Sequence, residues 1–159
     1  MPSARHPAMR VSFDIDDTLV CGAGVPSEQL VPFLYRRRYP EPLRKGTRDL
    51  FRSLHARGCR LWVYTSSSRP AAYLSGWFRS LGIRLEGVVN LERHAEVVGC
   101  RGPSKLPSAF GIGLHVDDSE GVAMEAQAHG FRVLVVSPQD ERWAERVIGE
   151  VDALRGSAA

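Results

Sequence analysis

The sequence predicts an α/β fold in which a mostly parallel sheet carries helices on both faces. Two observations predict it. Short apolar runs recur at Arg10–Phe13, Leu61–Tyr64, Gly87–Val89, Leu114–Val116 and Arg132–Val136, and segments of helical pattern separate them. The runs are apolar almost throughout rather than alternating, as strands covered on both faces are.

Taken in order, residues 1–8 read as a flexible leader and 9–159 as one domain, long enough for a substantial core. After the first strand, Cys21–Lys45 is rich in Gly, Pro and Arg, and a loop, a hairpin or a single turn of helix is expected there. Thr47–Ala56 reads as a helix capped by Thr47 and closed near Gly58. Pro70–Leu81 is a second, with proline acceptable in its first turn and Gly82 at its exit. Arg84–Ser104 is polar beyond its short strand, and a loop, a hairpin or a single turn of helix is expected there too. Glu120–His129 is a helix ending at Gly130. The last helix starts after Pro138 and places Trp143, Val147, Val151 and Leu154 on one face.

Composition narrows the class. Hydrophobic content of 43% and charged content of 25% are ordinary for a globular chain, and a net charge of +3 favours anionic substrates without implying nucleic acid. No stretch approaches membrane-spanning length, and Met1–Met9 lacks a signal-peptide core. Cys21, Cys59 and Cys100 are odd in number and lack CxxC spacing, so they read as reduced thiols of a cytoplasmic protein.

The chemistry concentrates in two acidic strand ends. Val11-Ser12-Phe13 runs directly into Asp14, Asp16 and Asp17, three carboxylates in four positions, and Leu114-His115-Val116 runs into Asp117 and Asp118. At about 4 Å and an effective dielectric near 20, each like-charged pair costs roughly 4 kcal/mol before compensation. A divalent cation with oxygen ligands and a nearby ammonium are the natural compensators. Lys105 stands just ahead of the second cluster and is one of two lysines, with Lys45, among nineteen arginines. Together these features point to a Mg²⁺ phosphoryl-transfer site; the alternative is that the carboxylates cap a turn or hold a structural cation.

Asp14-Ile15-Asp16-Asp17-Thr18 matches the DxDxT motif of the haloacid dehalogenase (HAD) superfamily, and Leu61-Trp62-Val63-Tyr64-Thr65 resembles its second motif. Lys105 stands where the third motif's lysine belongs, and Val116-Asp117-Asp118 resembles the fourth. The motifs fall in the family's order. The resemblance implies a Rossmann-like sheet with the first strand central and the motifs at carboxyl strand ends, consistent with the general rule for open α/β sheets. It also implies an aspartyl-phosphate mechanism, with Asp14 as nucleophile and Asp16 as general acid and base. Aspartate at that second position fits a phosphatase better than a dehalogenase.

By the same resemblance Thr65 binds the transferring phosphoryl group, with Ser66 as a further phosphate-binding candidate, although Ser66–Ser68 also read as an N-cap turn. Lys105 neutralises Asp14 and the phosphoryl oxygens. Mg²⁺ is held by Asp14, the Asp16 backbone carbonyl and Asp118, while Asp117 either binds metal or orients Lys105. Asp17 and Thr18 are read as turn-shaping residues.

The inserts leave room only for a minimal cap, so the phosphorylated substrate is a small molecule or a macromolecule. Two narrower phosphatase readings are a nucleic-acid 3′-end enzyme, from the Arg36-Arg37-Arg38 run, and a protein phosphatase, from Tyr64–Ser68 with Asp117-Asp118-Ser119. A binding module of the same fold without turnover is the alternative outside the enzyme class. Arg36–Arg38 also reads as a solvated helix end, and Phe33, Leu34 and Tyr35 as a strip that would serve a dimer. His94 and His115 lack ligand spacing and are expected in core or surface roles. Tyr73, Trp77 and Phe78 are expected to pack on the sheet, and Gly111-Ile112-Gly113 is too short for a dinucleotide fingerprint.

Overall fold

A computed structural model describes residues 8–157 of the chain. Apart from Ala8, the leader expected over residues 1–8 lies outside the described residues. Five strands form one parallel sheet: β1 (Arg10–Phe13), β4 (Arg60–Tyr64), β5 (Gly87–Val89), β6 (Leu114–Asp117) and β7 (Val133–Val135), in the order β5-β4-β1-β6-β7. The first strand is central, with Phe13 opposite Val63 on one side and Val116 on the other. Two further short strands, β2 (Ser27–Glu28) and β3 (Leu43–Arg44), pair antiparallel within the first insert, around a 3₁₀ turn at Phe33–Tyr35.

Because successive strand side chains point to opposite faces, each strand divides its residues between two layers. Val11, Phe13, Leu61, Val63, Leu114 and Val116 enter the main core, with residues of α1 (Thr47–Ala56), α2 (Ala71–Ser80) and α5 (Trp143–Gly156). Phe13, Phe51 and Phe78 stack in sequence there, with ring centroids 4.7 and 5.8 Å apart. The other face receives Tyr64 and Val89, packed with Ile112 and Phe110. A third cluster gathers Val122, Ala126 and Phe131 around α4 (Glu120–His129). Ser12, His115 and Asp117 share the parity of Tyr64, so the buried polar residues collect on this second face, beside the smaller clusters.

The helix ends follow local chemistry, with two departures from the expected pattern. Gly46, not Thr47, caps α1, with φ at 93°. Thr47 is fully buried and its hydroxyl donates to the Arg44 carbonyl at 2.6 Å, so its side chain is turned back to β3 rather than forward to the helix. The second departure is α3 (Leu91–Val97), a helix of seven residues in the polar stretch where no more than a single turn is expected. Asn90 starts it by accepting from the Arg93 amide at 3.0 Å. At α4 the expected signals operate: Ser119 accepts from the Val122 amide, and Gly130 ends the helix in the left-handed region.

Arg44 ties the first insert to the segment ahead of α5. Its guanidinium stacks over Trp143 at 4.6 Å and donates to the carbonyls of Ser137, Pro138 and Asp140. Trp143, Val147 and Val151 of α5 are buried as expected, with Leu154 partly buried beside them. Trp77 and Phe78 pack into the main core, while Tyr73 packs edge-on against Tyr39 at its margin.

Candidate active site

Asp14 follows the last residue of β1 and Asp117 ends β6, so the pairing of these two strands brings the acidic ends together. Carboxylate oxygens of Asp14, Asp117 and Asp118 all lie within 4.8 Å of one another. Lys105 reaches them from the segment between α3 and β6. Its Nζ lies 2.9 Å from Asp14 Oδ1, 3.0 Å from the Tyr64 carbonyl and 3.4 Å from Asp117 Oδ2. The ammonium is only 2% exposed and its three protons have three acceptors.

Burial sets the electrostatics. It pushes the Asp14 carboxyl up to about 6, against the lowering pull of Lys105. Asp117 meets the same burial penalty, but the hydrogen bond to His115 and the charge of Lys105 outweigh it and hold that carboxyl at about 2. Burial and the Asp117 charge raise Asp118, whose Oδ1 accepts from the Thr18 hydroxyl at 3.3 Å. Three carboxylates against one ammonium leave an excess of two negative charges. That donor set, all hard oxygen, fits a divalent cation of the Mg²⁺ type.

Several residues absent from the sequence-derived site hold it in place. His115 is fully buried, and burial lowers its basicity against the raising pull of Asp117. Asp117 can only accept, so His115 Nε2 carries the proton and donates to it at 2.9 Å, while Nδ1 accepts from Ser12 Oγ at 2.8 Å. Tyr64 supports Lys105 three ways. Its carbonyl accepts from Nζ, its ring lies 5.3 Å beneath the ammonium, and its hydroxyl accepts from the Leu106 amide at 2.9 Å. The Glu125 carboxylate of α4 accepts from the Ser104 amide and hydroxyl and from the Lys105 amide. The readable signal for Tyr64 was a tyrosine at a buried strand end, whose hydroxyl must find a partner; Glu125 offered none.

The other expected residues lie around this centre. Thr65 is buried at the end of β4; its Oγ1 accepts from the Ser67 amide at 3.1 Å and lies 3.2 Å from Ser67 Oγ. Ser66 is exposed in the turn that follows. Asp16 is not in the carboxylate cluster. Its carboxylate pairs with both terminal nitrogens of Arg69, at 2.9 and 3.0 Å. Asp17 takes φ of 60° in the intervening turn, where its amide donates to the Val20 carbonyl. A cavity of about 680 Å³ lies elsewhere, lined by Arg44, Trp143 and the chain around Pro138, and contains none of these carboxylates.

Solved structures align over most of the chain. One is a predicted phosphatase from Clostridium acetobutylicum, 14% identical with a TM-score of 0.53, over 82% of this chain and 85% of that one. A HAD-superfamily hydrolase of subfamily IA from Geobacter sulfurreducens is 17% identical with a TM-score of 0.52, over 81% and 89%. The fold is that of the HAD superfamily. The HAD domain of the effector protein Lem4 from Legionella pneumophila aligns similarly, 14% identical with a TM-score of 0.52, over 89% and 93%. No protein-family model and no curated protein matches the sequence. Within the HAD fold of this chain, the four motif segments occupy the carboxyl ends of β1, β4 and β6 and the loop that carries Lys105.

Proposed function

We propose that the protein is a Mg²⁺-dependent phosphomonoester hydrolase working through an aspartyl-phosphate at Asp14. The observation that carries this reading is the buried contact of Lys105 Nζ with Asp14 Oδ1 at 2.9 Å, inside a cluster of three carboxylates. A carboxylate this buried needs a fixed cation beside it to stay ionised and nucleophilic, and Lys105 supplies one.

In this reading Asp14, Asp118 and Asp117 hold the metal together with the Asp16 carbonyl. A divalent cation held by these residues would offset the negative charge of the phosphoryl oxygens. Asp14 attacks phosphorus, the bond from phosphorus to the ester oxygen breaks, and Asp16 gives that oxygen a proton. Asp16 then takes a proton from water, which attacks the acyl phosphate, releases inorganic phosphate and restores Asp14. Lys105 stabilises charge on the phosphoryl group throughout, and Thr65 donates its hydroxyl to it, with Ser66 at the margin.

Residues 9–159 are read as one domain with short inserts, leaving the site to a small phosphorylated molecule or to a phosphate on a macromolecule. No described helix is long and apolar enough to cross a membrane, and the three cysteines are unpaired. We place the protein in the cytoplasm on that thiol usage. Phosphate release from p-nitrophenyl phosphate, with and without Mg²⁺, tests the reading. Turnover that needs Mg²⁺ and disappears in Asp14→Asn is the expected result; turnover that survives in Asp14→Asn overturns it.

A further inference from the structure

Arg69 is built as a receptor for a planar anion, and the group that now fills it is the one the reaction has to move. Its Nη1 and Nη2 grip the two oxygens of Asp16 at 3.0 and 2.9 Å, the parallel two-point geometry in which a guanidinium takes a carboxylate. Its outer protons are used separately: Nη2 also donates to Glu41 Oε1 at 2.7 Å, and Nη1 to Ser67 Oγ at 3.1 Å. The Arg69 carbonyl accepts from the side-chain amide of Asn90, which is itself buried at the start of α3. Arg69 is therefore fixed by three neighbours that do not depend on Asp16.

Asp16 is the loosest partner, with its side chain 55% exposed against 30% for Glu41 and 21% for Arg69. In the proposed reaction its carboxyl must reach the ester oxygen at Asp14, and one carboxyl cannot serve both places. When Asp16 leaves, a rigid guanidinium with its two-point face empty remains beside Glu41 and Ser67. Ser67 Oγ is 3.2 Å from Thr65 Oγ1, so this face is one hydrogen-bonded residue away from the proposed phosphoryl-binding hydroxyl.

We propose that Arg69 determines substrate specificity by taking a carboxylate carried by the substrate close to its phosphate ester, in exchange for Asp16. The substrate class is then a small carboxylated phosphomonoester, and binding itself frees the Asp16 carboxylate, which takes up a proton from solvent before it serves the ester oxygen. This inference rests on the phosphomonoesterase reading for its substrate, though not for its binding geometry.

The test compares matched esters, carboxymethyl phosphate against ethyl phosphate and 2-carboxyethyl phosphate against propyl phosphate, in wild type, Arg69→Gln and Arg69→Lys. Losing a charge-assisted two-point contact is worth about ten- to hundred-fold, so wild-type kcat/KM should favour the better carboxylated ester by that factor. Arg69→Gln should bring the ratio close to one. Arg69→Lys, which keeps the charge and loses the fork, should fall between. A wild-type ratio of one, or an Arg69→Gln protein that slows both members of a pair equally, overturns the assignment.

A binding measurement decides the same point without turnover. In an Asp14→Asn background, which blocks turnover, adding Asp16→Ala removes the competing carboxylate and leaves Arg69 in place, so calorimetry should show a larger gain in affinity for carboxymethyl phosphate than for ethyl phosphate. Equal gains for both esters overturn the assignment. Failure of wild type to hydrolyse any ester, p-nitrophenyl phosphate included, counts against the phosphomonoesterase reading instead.

Discussion

His115 donates from Nε2 to Asp117 Oδ2 at 2.9 Å, joining two residues that project from the same face of β6. The bond aims an acceptor-rich carboxylate at Lys105 and leaves its Oδ1 to the Ser119 amide, 2.9 Å away at the head of α4. His115→Phe keeps much of the ring volume and removes the donor. Partners that orient a metal-binding carboxylate typically carry about ten- to hundred-fold of metal affinity or activity. The variant should fold, bind Mg²⁺ more weakly by that order, and lose activity that higher Mg²⁺ partly restores. Calorimetric titration of Mg²⁺ checks it; an unchanged affinity removes His115 from the support of the site.

Asp14 makes folding stability depend on pH in a defined direction. Its carboxyl titrates at about 6 in the folded protein against an ordinary value of 3.8. Between those values the folded chain keeps a proton that the unfolded chain has released, so stability falls as pH rises through the window and stays lower above it. In chelator, wild-type stability should decline by up to about 3 kcal/mol between about pH 4 and neutral pH, and Asp14→Asn should lack that decline. Below about pH 4 the dependence on this group should level off, where both states of the wild type are protonated. Urea titrations at several pH values test this.

Lys105→Met leaves Asp14 and Asp117 buried without their ammonium. Breaking a buried ion pair by removing one partner costs about 3–5 kcal/mol. In chelator the variant should melt well below wild type. Saturating Mg²⁺ should return a large part of the difference, because a divalent cation restores the missing positive charge. Equal deficits with and without Mg²⁺ would show that the cluster binds no cation.

Phe51 sits between Phe13 and Phe78, far from the carboxylates in role though directly beneath β1. Phe51→Ala empties a fully packed position, at a typical cost of about 3–5 kcal/mol. Denaturation midpoints should fall accordingly, while the folded fraction at low temperature keeps the Mg²⁺ affinity of wild type.

The readable part of this protein is the part in which identity and strand position coincide. Asp14, Asp117 and Asp118 stand at the ends of apolar runs, and Lys105 is a rare lysine at a fixed place in the order, so one dimension was enough to group them. Arg69 looked like one of nineteen arginines; only the approach of two carboxylates from residues 16 and 41 distinguishes it. Glu125 likewise gains its role from a loop 20 and 21 residues away. The full length of α3 is not legible in the sequence because Leu91–Val97 buries no residue and so shows no apolar stripe; its start depends on the Asn90 cap. At α1 the expected Thr47 cap gave way because burial of Thr47 outweighed the preference of its hydroxyl for the helix end.

The central position of β1 has a consequence for how the chain is made. Ser12 pairs with His115 and Asp14 with Lys105, partners 103 and 91 residues apart. A ribosome-bound chain that has reached only β1 and β4 still holds none of Lys105, Asp117 and Asp118, so its Asp14 lacks those partners. Contacts this remote in sequence also make for slow closure. Asp14, the Lys105 ammonium and the neighbouring carboxylates therefore come together late, so a nascent or truncated chain lacking β6 carries the DxDxT segment without the cluster.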